Sequence, residues 1–202
     1  MKSLLDIQQD IRNLENSVRS ITESIRNIGS DIDNIRNSSE ASGGLALDFT
    51  KIETFAKQLS FGAHPLSTLG QDEVCRTYLR ALLNIVRLDT DEKTTVSRMV
   101  FIQWLQMQSH IEFSLEELYK DSFKLDEQLY YELVDGLTEE YREYFIVDAL
   151  IVANISGEAN SNIYEYIAQL TALLGISADK MRALAVVAKM TLCQNLKALS
   201  RE

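Results

Sequence analysis

Ten apolar side chains near the start of the chain follow an unbroken three-four spacing: Leu4, Ile7, Ile11, Leu14, Val18, Ile21, Ile25, Ile28, Ile32 and Ile35. On an α-helix this spacing draws one stripe that drifts slowly round the axis, and helices supercoil to keep such stripes in contact. Asn, Ser, Arg and Asp fill the other faces. The stripe is therefore narrower than the face by which a helix packs on its own domain. With Leu4 at heptad position a, the d positions are Ile7, Leu14, Ile21, Ile28 and Ile35. Isoleucine at both a and d shifts preference away from two helices toward three or four. No polar residue interrupts the seam, and flanking positions such as Gln8, Ser17, Thr22, Ser24 and Gly29 are mostly uncharged. Residues 1–37 are thus predicted to form a coiled-coil oligomerisation helix about 50 Å long. Its partners are expected to be copies of itself, in a trimer or tetramer, or the helices of another protein.

Residues 38–47 begin with SSEASGG, a small polar run with paired glycines, and are read as a flexible linker. From residue 48 the apolar faces broaden. The pattern predicts helices over Asp48–Leu59, Asp72–Arg87 and Lys93–Gln108, with a turn at Gly62–Pro65. Ser114 and Glu117 have capping-box spacing for a further helix start. Thr138 and Ser177 are placed as N-caps of helices ending near Asn154 and Leu199, and Gly175 as a C-terminal cap. No segment alternates like a strand, and Pro65 is the one proline. The expectation is an all-α protein, with a helical bundle over residues 48–202.

A shift of 67 residues lays Tyr78–Val86 over Phe145–Ala153, Asp89–Asp91 over Ser156–Glu158, and Val96 and Val100 over Ile163 and Ile167. Each copy reads as helix, short polar turn, helix. Identities are few, so this is a repeated pattern.

Composition narrows the class. The hydrophobic share of 46% is ordinary for a folded domain. No apolar run approaches the roughly 18 residues that a bilayer span requires. The opening MKSLLDIQQDIRN has charges and glutamines where a signal peptide carries an apolar core. A cytoplasmic location is expected. Cys75 and Cys193 stand far apart in apolar helical contexts, and both are expected to be reduced core residues. The net charge is −10, of which residues 1–37 carry only −1. So acidic a body repels phosphate backbones and anionic membranes, which argues against direct nucleic-acid binding.

The stretches Asp148-Ala-Leu-Ile-Val-Ala-Asn-Ile-Ser-Gly-Glu158 and Tyr164-Glu-Tyr-Ile-Ala-Gln-Leu-Thr-Ala-Leu-Leu-Gly-Ile-Ser177 resemble the TerB-like (tellurite-resistance) helical domain, over about residues 72–199. That family has two helical hairpins, each with an Ala-x-x-Asp-Gly turn and acidic residues, closed by a Leu-Gly-Leu-Ser-type step. The resemblance implies an all-helical bundle acting through protein complexes in bacterial stress response and phage defence. It also implies a divalent-metal site, calcium or magnesium, in the acidic turns. By position its ligands would be Asp89, Asp91, Glu92 and Glu158, but Thr90 stands where the family has Gly and Ser156 where it has Asp. A hard cation needs several oxygens, and the second turn offers Glu158 alone. The same acids equally serve to stabilise the positive ends of helices, and no metal or cofactor is expected.

Other chemistry is sparse. His64 and His110 have no Cys or His companion at zinc-ligand spacing and are read as cap or surface residues. Nucleophile, phosphate-loop and dinucleotide motifs are absent. Glu116-Glu117 and Glu139-Glu140 diverge on a helix and are expected to be solvated. Phe101, Trp104, Tyr130, Tyr131, Tyr141 and Tyr144 fall at helical spacings and are assigned mostly to the core. The expected function is a non-enzymatic adaptor that assembles through its seam and docks other proteins. A metal-responsive sensor built on the acidic turns is the alternative.

Overall fold

The computed structural model describes residues 47–59, 61–88, 92–122, 128–155, 157 and 159–199. The ten seam positions lie outside the described residues. Within them the protein is all-α, with nine helices and no strand. These are α1 (Phe49–Ala56), α2 (Leu66–Leu69), α3 (Asp72–Arg87), α4 (Glu92–Gln108), α5 (Leu115–Asp121), α6 (Gln128–Gly136), α7 (Glu139–Asn154), α8 (Ser161–Leu173) and α9 (Ala178–Leu199).

Helices α3 and α7 form the centre. After the first turn of each, no residue is fully exposed: α7 is apolar on nearly every face, and the polar face of α3, with Arg76, Arg80 and Arg87, is partly covered by its neighbours. Helix α3 packs against α2, α4, α5, α6 and α7, and α7 packs against α3, α4, α8 and α9. These two are the segments that echo each other across 67 positions. Equivalent residues meet where they cross: the Tyr78 and Phe145 rings pack edge to face with centroids 4.9 Å apart. Where α6 ends, Gly136 lets its backbone approach α3 closely, since a Cβ there would come within 3.0 Å of a Val74 methyl.

Local chemistry sets most helix ends. Asp48 caps α1 by accepting from the Lys51 N–H, and Asn160 caps α8 by accepting from the Ile163 N–H. Ser177 does the same for α9 through the Lys180 N–H. Ser114 accepts from the Glu117 N–H, but the return bond of a full capping box is not made. Thr138 occupies the N-cap of α7 without a side-chain cap bond. Gly175, at φ +72°, ends α8 in a Schellman arrangement: its N–H donates to Ala172 O and the Ile176 N–H to Thr171 O.

Three arginines tend the other helix ends. Arg98 of α4 is 1% exposed, and it donates to Val152 O at 2.9 Å and Ala153 O at 3.2 Å in the last turn of α7. Arg142 of α7 donates to Val134 O and Leu137 O at the end of α6, and to Leu174 O at the end of α8. Arg87 of α3 donates to Ser122 O at the end of α5. A guanidinium placed there satisfies orphan carbonyls and opposes the negative end of the helix dipole.

Buried phenols complete the interior. Tyr130 of α6 and Tyr166 of α8 meet hydroxyl to hydroxyl at 3.4 Å, with Asn84 donating to Tyr130 and Tyr166 donating to Ala81 O of α3. Burial, more than any neighbour, raises Tyr78 and Tyr130 well above the ordinary phenol value and pushes Tyr166 up to about 12. In the unfolded chain all three return to about 10. Below that pH both states keep the protons and the contribution to stability is whole. Above it the unfolded chain ionises first, and the folded state loses stability as pH rises toward the folded values. An alkaline titration should therefore show these three of the eight tyrosines ionising at 295 nm only as helix is lost at 222 nm. Ionisation of all eight with helicity intact would contradict the burial assigned to them.

Candidate functional site

The structure brings together one buried ionisable cluster that the sequence reading missed. Asp148, midway along α7, is 2% exposed and sits at the crossing with α3. Its Oδ2 accepts from the Tyr78 hydroxyl at 2.5 Å and lies 3.2 Å from His64 Nε2. His64 Nδ1 accepts from the Leu66 N–H at 3.2 Å, so the hydrogen-bond pattern places the ring proton on Nε2. The imidazole also lies edge-on to Trp104, in an aromatic group with Phe61 and Phe101. Both nitrogens of His64 are thus engaged by the protein itself. The arrangement clips the 61–65 loop to α7. The signal for it lay in the sequence: an acid inside the apolar run Phe145–Ala153 must find donors when the helix is enclosed.

One bond also links residues that flank the two hairpin turns in the chain. Asn160, at the start of α8, donates through Nδ2 to Leu88 O at the end of α3, 3.0 Å away. The low-ranked metal residues Asp89, Asp91 and Glu158 lie outside the described residues, as does the side chain of Glu92. Among the described residues no three His, Cys, Asp or Glu gather as a cation site. His110 is exposed, at φ +57° in the turn after α4. Glu116, Glu117, Glu139 and Glu140 are exposed as expected, and Phe101, Trp104 and Tyr130 are buried. Tyr131, Tyr141 and Tyr144 are only partly covered.

One expectation is corrected. Cys75 is buried, and burial with Asp72 nearby pushes its thiol up to about 11, but Cys193 is exposed. Helix α9 seats Leu184, Ala188 and Leu192 in the core. Cys193 follows Leu192 by one residue, about 100° round the helix, and falls on the opposite side.

That outer side carries three of the five exposed large hydrophobic side chains among the described residues: Val186, Val187 and Met190. Ala183, Val186, Val187, Met190 and Cys193 are all exposed, with Val186 58% and Met190 57% accessible. Their spacing is again three-four. Arg182 and Lys189 flank the stripe, both exposed. Helix α9 is thus apolar on two faces, of which α7 covers one. A solitary exposed valine needs no explanation, but a continuous exposed stripe marks a contact surface. Elsewhere, Arg76 lies 5.3 Å over the Phe113 ring beside a shallow depression between α3 and α5, so its cation is already engaged. No helix among the described residues is long and apolar enough to cross a membrane.

Comparison with family models, with curated proteins and with solved structures finds no match to this chain.

The Asp148 cluster is open to test by equilibrium unfolding. Asp148→Ala leaves the buried Tyr78 hydroxyl unpaired and removes the carboxylate beside His64, and should lower stability by about 3 kcal/mol. Tyr78→Phe, which leaves the carboxylate its His64 donor, should cost about 1 kcal/mol. Equal, negligible losses in both variants would remove the cluster from the determinants of the fold.

Proposed function

We propose that this protein is a non-enzymatic adaptor that associates with other helices through its N-terminal seam and docks partner proteins with its helical body. The observation that carries the reading is the ten-position seam, a hydrocarbon stripe too narrow to be buried by the helix that bears it. Two features of the body support it. Its second apolar stripe, on α9, has the chemistry of a contact surface. Its acid–histidine pair is turned inward, with His64 Nδ1 accepting from the Leu66 N–H and Nε2 3.2 Å from the buried Asp148 carboxylate. The TerB-like resemblance of residues 72–199 favours a bacterial stress-response or phage-defence complex for such an adaptor, and we propose that it acts in the cytoplasm.

Light scattering on the full chain tests this. The native protein should have the mass of a trimer or tetramer, or of a tight complex with its partner. Replacing Ile21 and Ile25 by Asp should reduce it to one chain while the helical signal of the body persists. A native protein of one-chain mass would end the association reading.

A second reading, a divalent-metal sensor, is favoured by one observation: Leu88, which precedes one acidic turn in the chain, is hydrogen-bonded to Asn160, which follows the other. It requires a rise in melting temperature with about 1 mM calcium, and the rise must vanish in Asp89→Asn. An unchanged melting curve would retire it.

A further inference from the structure

The outer stripe of α9 has its own heptad register. Ala183 and Met190 take position a, Val186 and Cys193 position d, and Val187 position e. Arg182 and Lys189 both fall at g, beside the stripe. Arg182 is ion-paired with Asp179 one turn back, so it is Lys189 that makes this flank positive, on a chain whose net charge is −10. In paired helices the e and g residues of one face the flanks of the other and decide which helices pair. The occupant of this stripe must therefore offer an apolar seam with acidic flanks.

The N-terminal seam does so. Of its charged e and g positions, Asp10, Glu15 and Asp31 are acidic and only Arg36 is basic. Its other arginines, Arg12, Arg19 and Arg26, stand at b, away from the seam edge. A second α9 fits worse, because an antiparallel pair would set Arg182 and Lys189 against their own copies. An anionic membrane is opposed by the charge of the whole body.

Reach and size agree. The chain re-enters at Leu47, just before α1. From α1 to α9 the packing runs through α4 and α7, three interaxial steps of about 8–10 Å each. The twelve residues from Ile35 to Leu47 span up to about 40 Å when extended. The stripe from Ala183 to Cys193 is about 15 Å long, so it covers roughly a third of a 50 Å seam and leaves the rest open.

We propose that the outer stripe of α9 is the docking site for part of the N-terminal seam of the same chain. This rests on reading the seam as an association device. The docked helix is held against its own body while the remaining seam positions stay available to other helices.

Cys193 is a built-in probe, since it lies on the stripe and Cys75 is buried. The experiment follows maleimide labelling of Cys193 in the native full-length chain across a wide range of protein concentration, with light scattering in parallel. The expected result is labelling at least about tenfold slower than in the Ile21→Asp/Ile25→Asp/Ile28→Asp variant, at every concentration. In Val186→Asp/Met190→Asp, whose changes are at exposed positions, trypsin should cut faster at Arg12, Arg19 and Arg26. Full labelling of the native chain overturns the proposal. So does protection that disappears on dilution, which assigns the stripe to a second copy. Protection unchanged by the seam substitutions overturns it too, in favour of another occupant such as a foreign acidic helix. The outcomes separate the two readings. A freely labelled oligomer keeps the seam as an association device and sinks the docking, whereas a protected single-chain species keeps the docking and sinks the adaptor.

Discussion

A helix enclosed on every side has no water to satisfy its polar groups, and the architecture of this protein follows from having two such helices. Once α3 and α7 cross at the centre, every donor and acceptor they bring inside must be matched by a neighbour. Asp148 is the most demanding of these, a carboxylate at the crossing itself. Tyr78 supplies a donor from across the crossing, and His64 Nε2 stands 3.2 Å away on the loop that leads into α2. Trp104 lies edge-on to the imidazole and is itself backed by Phe61 and Phe101. That loop is held in place by a polar demand and shielded by apolar surface.

The ends of the enclosed helices pose the same problem in another form. A C-terminus surrounded by protein exposes up to four carbonyls without intrahelical partners. Arg98, Arg142 and Arg87 answer it for α5, α6, α7 and α8, reaching in from helices other than the one they serve, except that Arg142 also links its own helix to two others. Arginine suits this task because its planar fork stays charged and donates in several directions at once. An acidic protein thus places some of its scarce cations inside, where they bind oxygen atoms of the backbone. On α9 the remaining cations stand outside and flank an uncovered apolar stripe. That contrast is what makes α9 read as a surface for contact with another helix.

Much of the helical layout was legible in the sequence. The spans of α3 and α4 follow from apolar periodicity, and Asp48, Ser114, Ser177 and Gly175 mark ends because their side chains or backbone freedom perform a local task. Two elements escaped that reading for physical reasons. Helix α2 is a single turn, too short to show a period. Helix α6 lacks a side-chain cap signal, and its position depends on Gly136 lying against Val74 of α3. The site was less legible. His64 read as a lone histidine because its partner stands 84 positions away, and Asp148 read as one residue of a turn motif and not as a buried acid. Cys193 looked like core because α9 is apolar on two faces, and a periodicity does not say which of two faces a neighbour covers.

By itself the sequence determined that this is an all-α chain, where most of its helices begin and end, and that its first 37 residues carry a hydrocarbon seam. Those properties depend on contacts within a few residues along the chain. Only the tertiary structure decided which acid is paired, which arginine serves which helix end, and which stripe of α9 stays uncovered. Each of those depends on residues brought together from distant positions, and no local pattern records the distance between them.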